Sequence, residues 1–300
     1  MSDSDISQAD VKLKVGLLVK STYSVMYGNP SALLKMVWVV FLLNGLYTVY
    51  RWDTLFQPAT STTVVQSGNF NIDIQLGGLS GLVGWAEALV GLLLLSGVFV
   101  AIHRFVLLGN YPHVPGFGIG KRELRYFGQL LINYSLVIVA LLIPFALLIM
   151  IHAGAGYLFG ATGAMLPILT VLIFVGMFVG ALTIITRLWF VMPAIAVDQG
   201  GVRFSIRRAW AMAKGHTATM IAAVTIALLP IFLISGISNY FLMQLMLQHV
   251  TSGETPIMPM AVYYGISVVV EWVGFVVITV MYSIAYNIIE SNNAEQQVEA

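Results

Sequence analysis

The chain has 300 residues, of which 59% are hydrophobic and only 9% are charged, and its net charge is +1. A soluble domain carries roughly 25% charged residues, so the composition excludes an ordinary water-soluble surface, and the charge gives no reason to expect a nucleic-acid partner. The sequence has no cysteine, which excludes disulfides, thiolate metal sites and cysteine nucleophiles.

Long apolar runs predict an all-α, polytopic membrane helical bundle. Runs of about 20 residues match a hydrocarbon core of roughly 30 Å, and a helix closes its own backbone hydrogen bonds there. We predict a cytoplasmic amphipathic N-terminal segment at 1–32, a membrane domain at 33–288 and a disordered cytoplasmic tail at 289–300. The six predicted spans are 33–50, 82–108, 127–151, 165–190, 217–245 and 260–288.

Two connections between the spans have recognisable patterns. The segment 51–81 is polar, and apolar residues alternate over Asn69–Leu76, which predicts a short strand or hairpin. The glycine-rich stretch His152–Gly163 predicts a turn between the third and fourth spans.

Positive charge lies on one side of the predicted spans. Thirteen of the 14 lysines and arginines fall in the segments that begin the chain or join span two to three and span four to five, and only Arg51 falls opposite. The positive-inside rule makes that side cytoplasmic. We therefore predict a multi-pass protein of the bacterial inner (plasma) membrane with both termini in the cytoplasm.

The three basic segments resemble one another. Each has a basic start, an aromatic-containing helical turn and a glycine followed by an amide or imidazole, at Gly28-Asn29, Gly128-Gln129 and Gly215-His216, before an apolar span. This pattern predicts three repeats of an interfacial elbow helix followed by a transmembrane hairpin. Coincidence is the alternative, because any basic-flanked helix end has a similar composition.

Basic residues in and near these elbows are candidates for binding lipid headgroups. In the third elbow, Arg203, Arg207 and Lys214 form one stripe at helical periodicity beside Trp210, a pattern that suits anionic lipid at headgroup depth. The alternative role is plain anchoring and setting of topology. The headgroup candidates are Arg104, Lys121, Arg122, Arg187, Arg203, Arg207 and Lys214.

Polar residues inside the predicted spans are candidates for an intramembrane site. Charged groups at that depth are costly unless paired, and they mark functional positions by default. The candidates are Glu87, Glu271, Asn44 and Asn239. They favour either a proton relay or cation site in the outer half of the bundle, or carboxylates with a purely structural role. The five histidines are scattered, and we predict no metal site, cofactor or catalytic residue.

A stretch of about 30 residues around the third elbow resembles a group of bacterial membrane proteins. The group includes the membrane domain of some glycerophosphodiester phosphodiesterases and stand-alone relatives of the YciC type. The matching residues are Arg187, Pro193, Asp198, Trp210, Lys214 and Gly215. The phosphodiesterase chemistry of the fused members belongs to a separate barrel domain that this sequence lacks, so the resemblance implies the six-span layout without that activity.

These observations favour a non-enzymatic role in binding lipid or scaffolding other membrane proteins, through the basic elbows. The expected partners are anionic headgroups of the cytoplasmic leaflet, and other membrane proteins or a second copy of the chain. The alternative is a small transporter or lipid translocator that uses Glu87 and Glu271.

The predicted topology can be tested with single cysteines, because the chain has none of its own. A cysteine replacing Lys121 or Arg207 should react with a membrane-impermeant maleimide in inside-out vesicles and stay unlabelled in intact cells. A cysteine replacing Ser67, in the predicted outer connection, should show the reverse. Labelling of Lys121→Cys from outside would contradict the orientation.

Overall fold

The structure is a computed structural model that describes residues 13–50, 78–110, 120–159, 165–197, 206–252 and 257–299. Helices account for 94% of the described residues, and these residues contain no strand. The all-helical class is therefore confirmed. The strand or hairpin predicted at Asn69–Leu76 lies outside the described residues, as does Arg203.

Nine helices occupy the described ranges. They are α1 (Val15–Gly28), α2 (Pro30–Tyr50), α3 (Gly78–Leu108), α4 (Lys121–Phe159), α5 (Met165–Trp189), α6 (Met192–Val197), α7 (Ile206–Met212), α8 (Thr217–Ser252) and α9 (Ile257–Glu299). Six of those described, α2, α3, α4, α5, α8 and α9, are long and apolar enough to cross a membrane. This agrees with the six predicted spans and with a multi-pass membrane protein.

Two helices continue where the sequence predicted a turn and a disordered tail. α4 remains helical through residues 152–159, because glycine is well tolerated in a membrane helix. α9 remains helical to Glu299, and no glycine or proline follows Gly274 to break it. The turn prediction is therefore wrong for 152–159, and the tail prediction differs from the structure over 289–299.

The three predicted elbows differ from one another in the structure. α1 and α2 are separated at Asn29, which directly precedes Pro30, a position that disfavours helical backbone. α7 and α8 are separated by a turn in which Gly215 has a φ of +81°, a conformation that favours glycine. The segment before the third span has no such break, because α4 runs continuously from Lys121.

Five of the long helices form a closed ring. Contacts run from α9 to α8, from α8 to α5, from α5 to α4, from α4 to α3 and from α3 back to α9. The short helix α6 packs against α3, α4 and α9, and its residues 192–196 are all buried. α2 packs against α3 and α9, and α1 packs against α8 and α9. The last helix in sequence is therefore the one that joins most of the others.

One end of the ring is packed and the other is open. Burial is continuous from Ser96 to Val100 on α3 and nearly so from Val276 to Tyr286 on α9, whereas most described side chains beyond Asn133 on α4 and beyond Leu228 on α8 are exposed. The packed end is also where the described lysines and arginines lie. They occur at α1, near the start of α2, at the C-terminal ends of α3 and α5, at the start of α4, on α7 and in the turn before α8. We call these the packed end and the open end.

α1 is an integral part of the packed end. Leu18 is completely buried in an apolar cluster with residues of α8 and α9, including Met220 and Met281. The Tyr23 hydroxyl donates a 2.7 Å hydrogen bond to the Ala227 carbonyl of α8. Burial and the nearby Tyr27 raise the pKa of Tyr23, so the phenol stays protonated as the donor at neutral pH.

Adjacent leucines on α1 give a matched test of this packing. Leu18→Ala should lower the free energy of unfolding by about 2–5 kcal/mol, because it leaves a cavity in a fully packed cluster. Leu17 is 52% exposed, so Leu17→Ala should change stability by less than about 0.5 kcal/mol. Thermal unfolding in detergent measures both, and equal effects would show that α1 does not pack as described.

Candidate functional site

Arg187 is held at the packed end by two neighbouring elements. Its Nε–H donates a 3.1 Å hydrogen bond to Thr217 Oγ1 at the start of α8, and its guanidinium carbon lies 4.6 Å from the ring centroid of Trp210 on α7. The Thr217 hydroxyl in turn donates to the Ala213 carbonyl at 3.0 Å. These contacts fix one edge and one face of the guanidinium, and no described residue accepts a hydrogen bond from its two terminal nitrogens.

The start of α8 supplies backbone donors beside this arginine. The N–H of Met220 bonds to the His216 carbonyl at 2.9 Å, and the N–H groups of residues 217–219 have no acceptor within the helix, as in the first turn of any helix. The positive end of the helix dipole lies at the same place. Free N–H groups, a helix dipole and an oriented guanidinium together suit a phosphate group.

The other predicted basic candidates occupy separate parts of the packed end. Arg207 and Lys214 are exposed on α7 and in the turn that follows it, so the α5–α7–α8 junction collects three of the seven candidates. Lys121 is exposed and Arg122 half-buried at the start of α4, and Arg104 is half-buried near the end of α3. The six described candidates therefore lie in three places, the α5–α7–α8 junction, the start of α4 and the end of α3.

A buried histidine network joins three helices at the packed end. His103 on α3 is completely buried, and its Nδ1 lies 2.6 Å from Ser283 Oγ on α9 while its Nε2 lies 3.0 Å from the Tyr126 hydroxyl on α4. The Ser283 hydroxyl donates to the Thr279 carbonyl at 2.9 Å, so it accepts from Nδ1–H. Nε2 then accepts from Tyr126, and both ring nitrogens of a neutral imidazole are satisfied.

Sequence reasoning missed the importance of His103. The histidines are considered there only as metal ligands, although an ionisable side chain within the predicted span 82–108 is itself a usable signal. What the sequence could not supply were its partners, which lie 23 and 180 residues away along the chain.

A second polar pair lies on α4, where this helix packs against α6. Gln129 Nε2 donates to Asn133 Oδ1 at 2.5 Å, and Asn133 Nδ2 lies 3.6 Å from the Met192 sulfur. Both amides are buried, and Gln129 Oε1 has no hydrogen-bond partner. Asn133 thereby connects α4 to α6.

The four intramembrane candidates do not form one site. Glu87 on α3 accepts a short hydrogen bond from the Tyr47 hydroxyl of α2. Asn239 on α8 accepts a 2.5 Å hydrogen bond from the Tyr263 hydroxyl of α9, and Asn44 is half-buried on α2. Two candidates are thus in separate interhelical pairs toward the open end.

Glu87 and Glu271 have different surroundings. Glu87 is 7, 11 and 18 residues before Leu94, Val98 and Phe105, which pack in the cluster shared with α2, so it faces α2. Glu271 is exposed on α9 and, among the described residues, has no hydrogen bond or ion pair. No group of His, Cys, Asp or Glu among the described residues could hold a metal ion.

Comparisons with known proteins add no assignment, since no protein-family model, curated protein or solved structure matches the chain.

The histidine network gives a matched prediction within α4. Tyr126→Phe removes the donor to buried His103 Nε2 and should cost about 1–3 kcal/mol of unfolding free energy. Tyr134→Phe, two turns along the same helix and exposed, should cost less than about 0.5 kcal/mol. Thermal unfolding in detergent compares the two. A Tyr126→Phe protein as stable as wild type would rule out the assigned bond as a contributor to stability.

Proposed function

We propose that this chain is a non-enzymatic inner-membrane protein that binds anionic, phosphate-bearing lipid headgroups at its packed end. The observation that carries the proposal is Arg187, whose Nε and one face are fixed by Thr217 and Trp210 while its terminal nitrogens stay available to a ligand. Arginine prefers bidentate contact with phosphate, and the start of α8 adds N–H donors from the same side.

The position of the junction suits a lipid ligand. Arg187 lies in the last turn of α5, and Thr217 begins both α8 and the candidate span Thr217–Leu245. Both residues therefore lie where spanning helices meet the membrane surface, with exposed Arg207, Lys214 and Trp210 around them. Tryptophan and basic side chains at that depth are typical of contact with an anionic leaflet.

The finer parts of the architecture belong to the same proposal. We place the packed end and both termini in the cytoplasm of a bacterium, because the described basic residues gather at that end. In this scheme α1, the start of α4 and α7 are the three elbows of an internal repeat. The resemblance to the glycerophosphodiester phosphodiesterase membrane domain and YciC-type proteins supports the layout through residues of this same junction. A scaffold role, toward other membrane proteins or a second copy, would use this surface too.

The translocator alternative needs Glu87 and Glu271 to act together. Glu87 bonds to Tyr47 and faces α2, while Glu271 lies on another helix without that partner. Their arrangement favours headgroup binding at the packed end over a mechanism shared by the two carboxylates.

Lipid-dependent stabilisation tests the proposal. In a neutral detergent, phosphatidylglycerol should raise the unfolding temperature of the wild-type protein, because a ligand that binds the native state stabilises it. Arg187→Lys keeps the positive charge but loses the planar guanidinium group that contacts phosphate with two N–H donors. The variant should therefore bind phosphatidylglycerol at least tenfold more weakly. This loss removes about 1.4 kcal/mol of the lipid-induced stabilisation. Phosphatidylcholine and inorganic phosphate distinguish an anionic lipid from a general phosphate site.

Lys20→Gln is the matched control, because Lys20 is an exposed basic residue on α1, outside the junction. It should respond to phosphatidylglycerol as wild type does. Each increment is measured against the same variant without lipid, so that loss of the Thr217 bond is not mistaken for loss of binding. An equal lipid response of Arg187→Lys and wild type would refute the proposal, and an equal response to inorganic phosphate would refute its lipid specificity.

A further inference from the structure

Glu271 faces the inside of the helix ring. It precedes Phe275, Ile278 and Tyr282 by 4, 7 and 11 residues, so the four side chains share one face of α9. Phe275 on that face lies 5.9 Å from Phe99 of α3, and Tyr282 lies 5.8 Å from Trp189 of α5 (ring centroids). A face that meets both α3 and α5 points across the ring.

Four aromatic side chains, Phe99, Tyr126, Trp189 and Phe275, meet on the packed-end side of this carboxylate, and we call them the aromatic floor. Phe99 occupies its middle, with its centroid 5.9 Å from Phe275, 6.2 Å from Trp189 and 6.2 Å from Tyr126. These rings come from four of the five ring helices. Glu271 is one helical turn from Phe275 toward the open end, about 6 Å along the axis.

The described residues leave the space above this floor unfilled. Glu271 is exposed although it points inward, and Phe275 and Trp189 are only half-buried although they take part in the floor. On one side the space is bounded by α8. A Cβ atom built on Gly274 of α9 would lie 3.9 Å from the Leu228 side chain and 4.0 Å from the Ile231 side chain of α8. We call it the central space.

An ionised carboxylate in this position is stabilised by a cation that balances its charge. It lies inside the candidate span Gly265–Asn292, where an ionised side chain is costly unless it is paired, and no described residue pairs with it. A metal ion would need several oxygen ligands, and no metal-binding group occurs in the described residues. Aromatic faces beside a single carboxylate instead match an organic ammonium or similar soft cation, which gains from the ring quadrupoles.

We propose that the central space is a binding site for an amphipathic organic monocation, held by Glu271 and the half-buried faces of Phe275 and Trp189. The carboxylate neutralises the charge, and the apolar walls of the ring accommodate the hydrophobic part of the ligand. Trp189 contacts Phe99 and Tyr282, whereas Arg187 contacts Thr217 and Trp210, so the two sites use different faces of α5 and can be tested separately.

The experiment uses radiolabelled tetraphenylphosphonium and the full-length protein in nanodiscs of zwitterionic lipid, with empty nanodiscs as background. Wild type should bind the cation saturably. Glu271→Gln should weaken binding at least tenfold, whereas Glu87→Gln, the other intramembrane carboxylate, should stay within twofold because Glu87 faces α2. Phe275→Leu should weaken binding severalfold, and Phe241→Leu, an exposed phenylalanine of α8, should not.

Several outcomes would overturn the proposal. They are an absence of saturable binding by wild type, unchanged binding by folded Glu271→Gln, equal binding of the anion tetraphenylborate, and displacement by sodium ions at physiological concentration. Gel filtration and thermal unfolding establish that each variant is folded. If Glu271→Gln does not fold, Phe275→Leu against Phe241→Leu decides the question, and equal binding by these two variants counts against the site.

Discussion

Lipid tails solvate an apolar side chain about as well as a protein core does, so helices in a bilayer gain little by burying apolar faces against one another. The open end of the ring shows the consequence. Ile143 on α4, Phe178 on α5 and Phe232 on α8 are 60–65% exposed, and they need no protein neighbour in hydrocarbon. Tight packing occurs instead where polar groups must find partners or where short helices fill the ring.

The packed end meets that requirement with a few specific contacts. His103 satisfies both ring nitrogens across three helices, Arg187 ties α5 to α7 and α8, and Tyr23 ties α1 to α8. A buried polar group without a partner costs several kcal/mol in an apolar medium, so these contacts discriminate strongly between correct and shifted helix arrangements. The long helices extend from this packed end toward the open end.

Aromatic side chains lie beside a positive group in one part of this molecule and beside a negative group in another. At the headgroup junction, Trp210 covers one face of a guanidinium and orients it, leaving its terminal nitrogens for an anion. Beneath the central space, Phe99, Phe275 and Trp189 form the floor beside a carboxylate. Positive groups are thus concentrated at the surface of the packed end, and a negative group that no described residue pairs with lies inside the ring. The two proposed sites differ in ligand charge for this reason.

The sequence by itself determined the helical membrane class, the six spans and the gathering of basic residues on one side, because chain length in hydrocarbon and backbone hydrogen bonding leave few other solutions. It also drew attention to Arg187, Glu87 and Glu271 as unusual residues. The sequence could not distinguish the surroundings of Glu87 from those of Glu271, since each is a single glutamate within an apolar run. Only the tertiary structure decided that Glu87 meets Tyr47 while Glu271 faces the ring, and that His103 meets Tyr126 and Ser283. Those outcomes depend on the rotation of each helix about its axis relative to distant neighbours, and in lipid a nearly uniform apolar helix surface carries little information about that rotation.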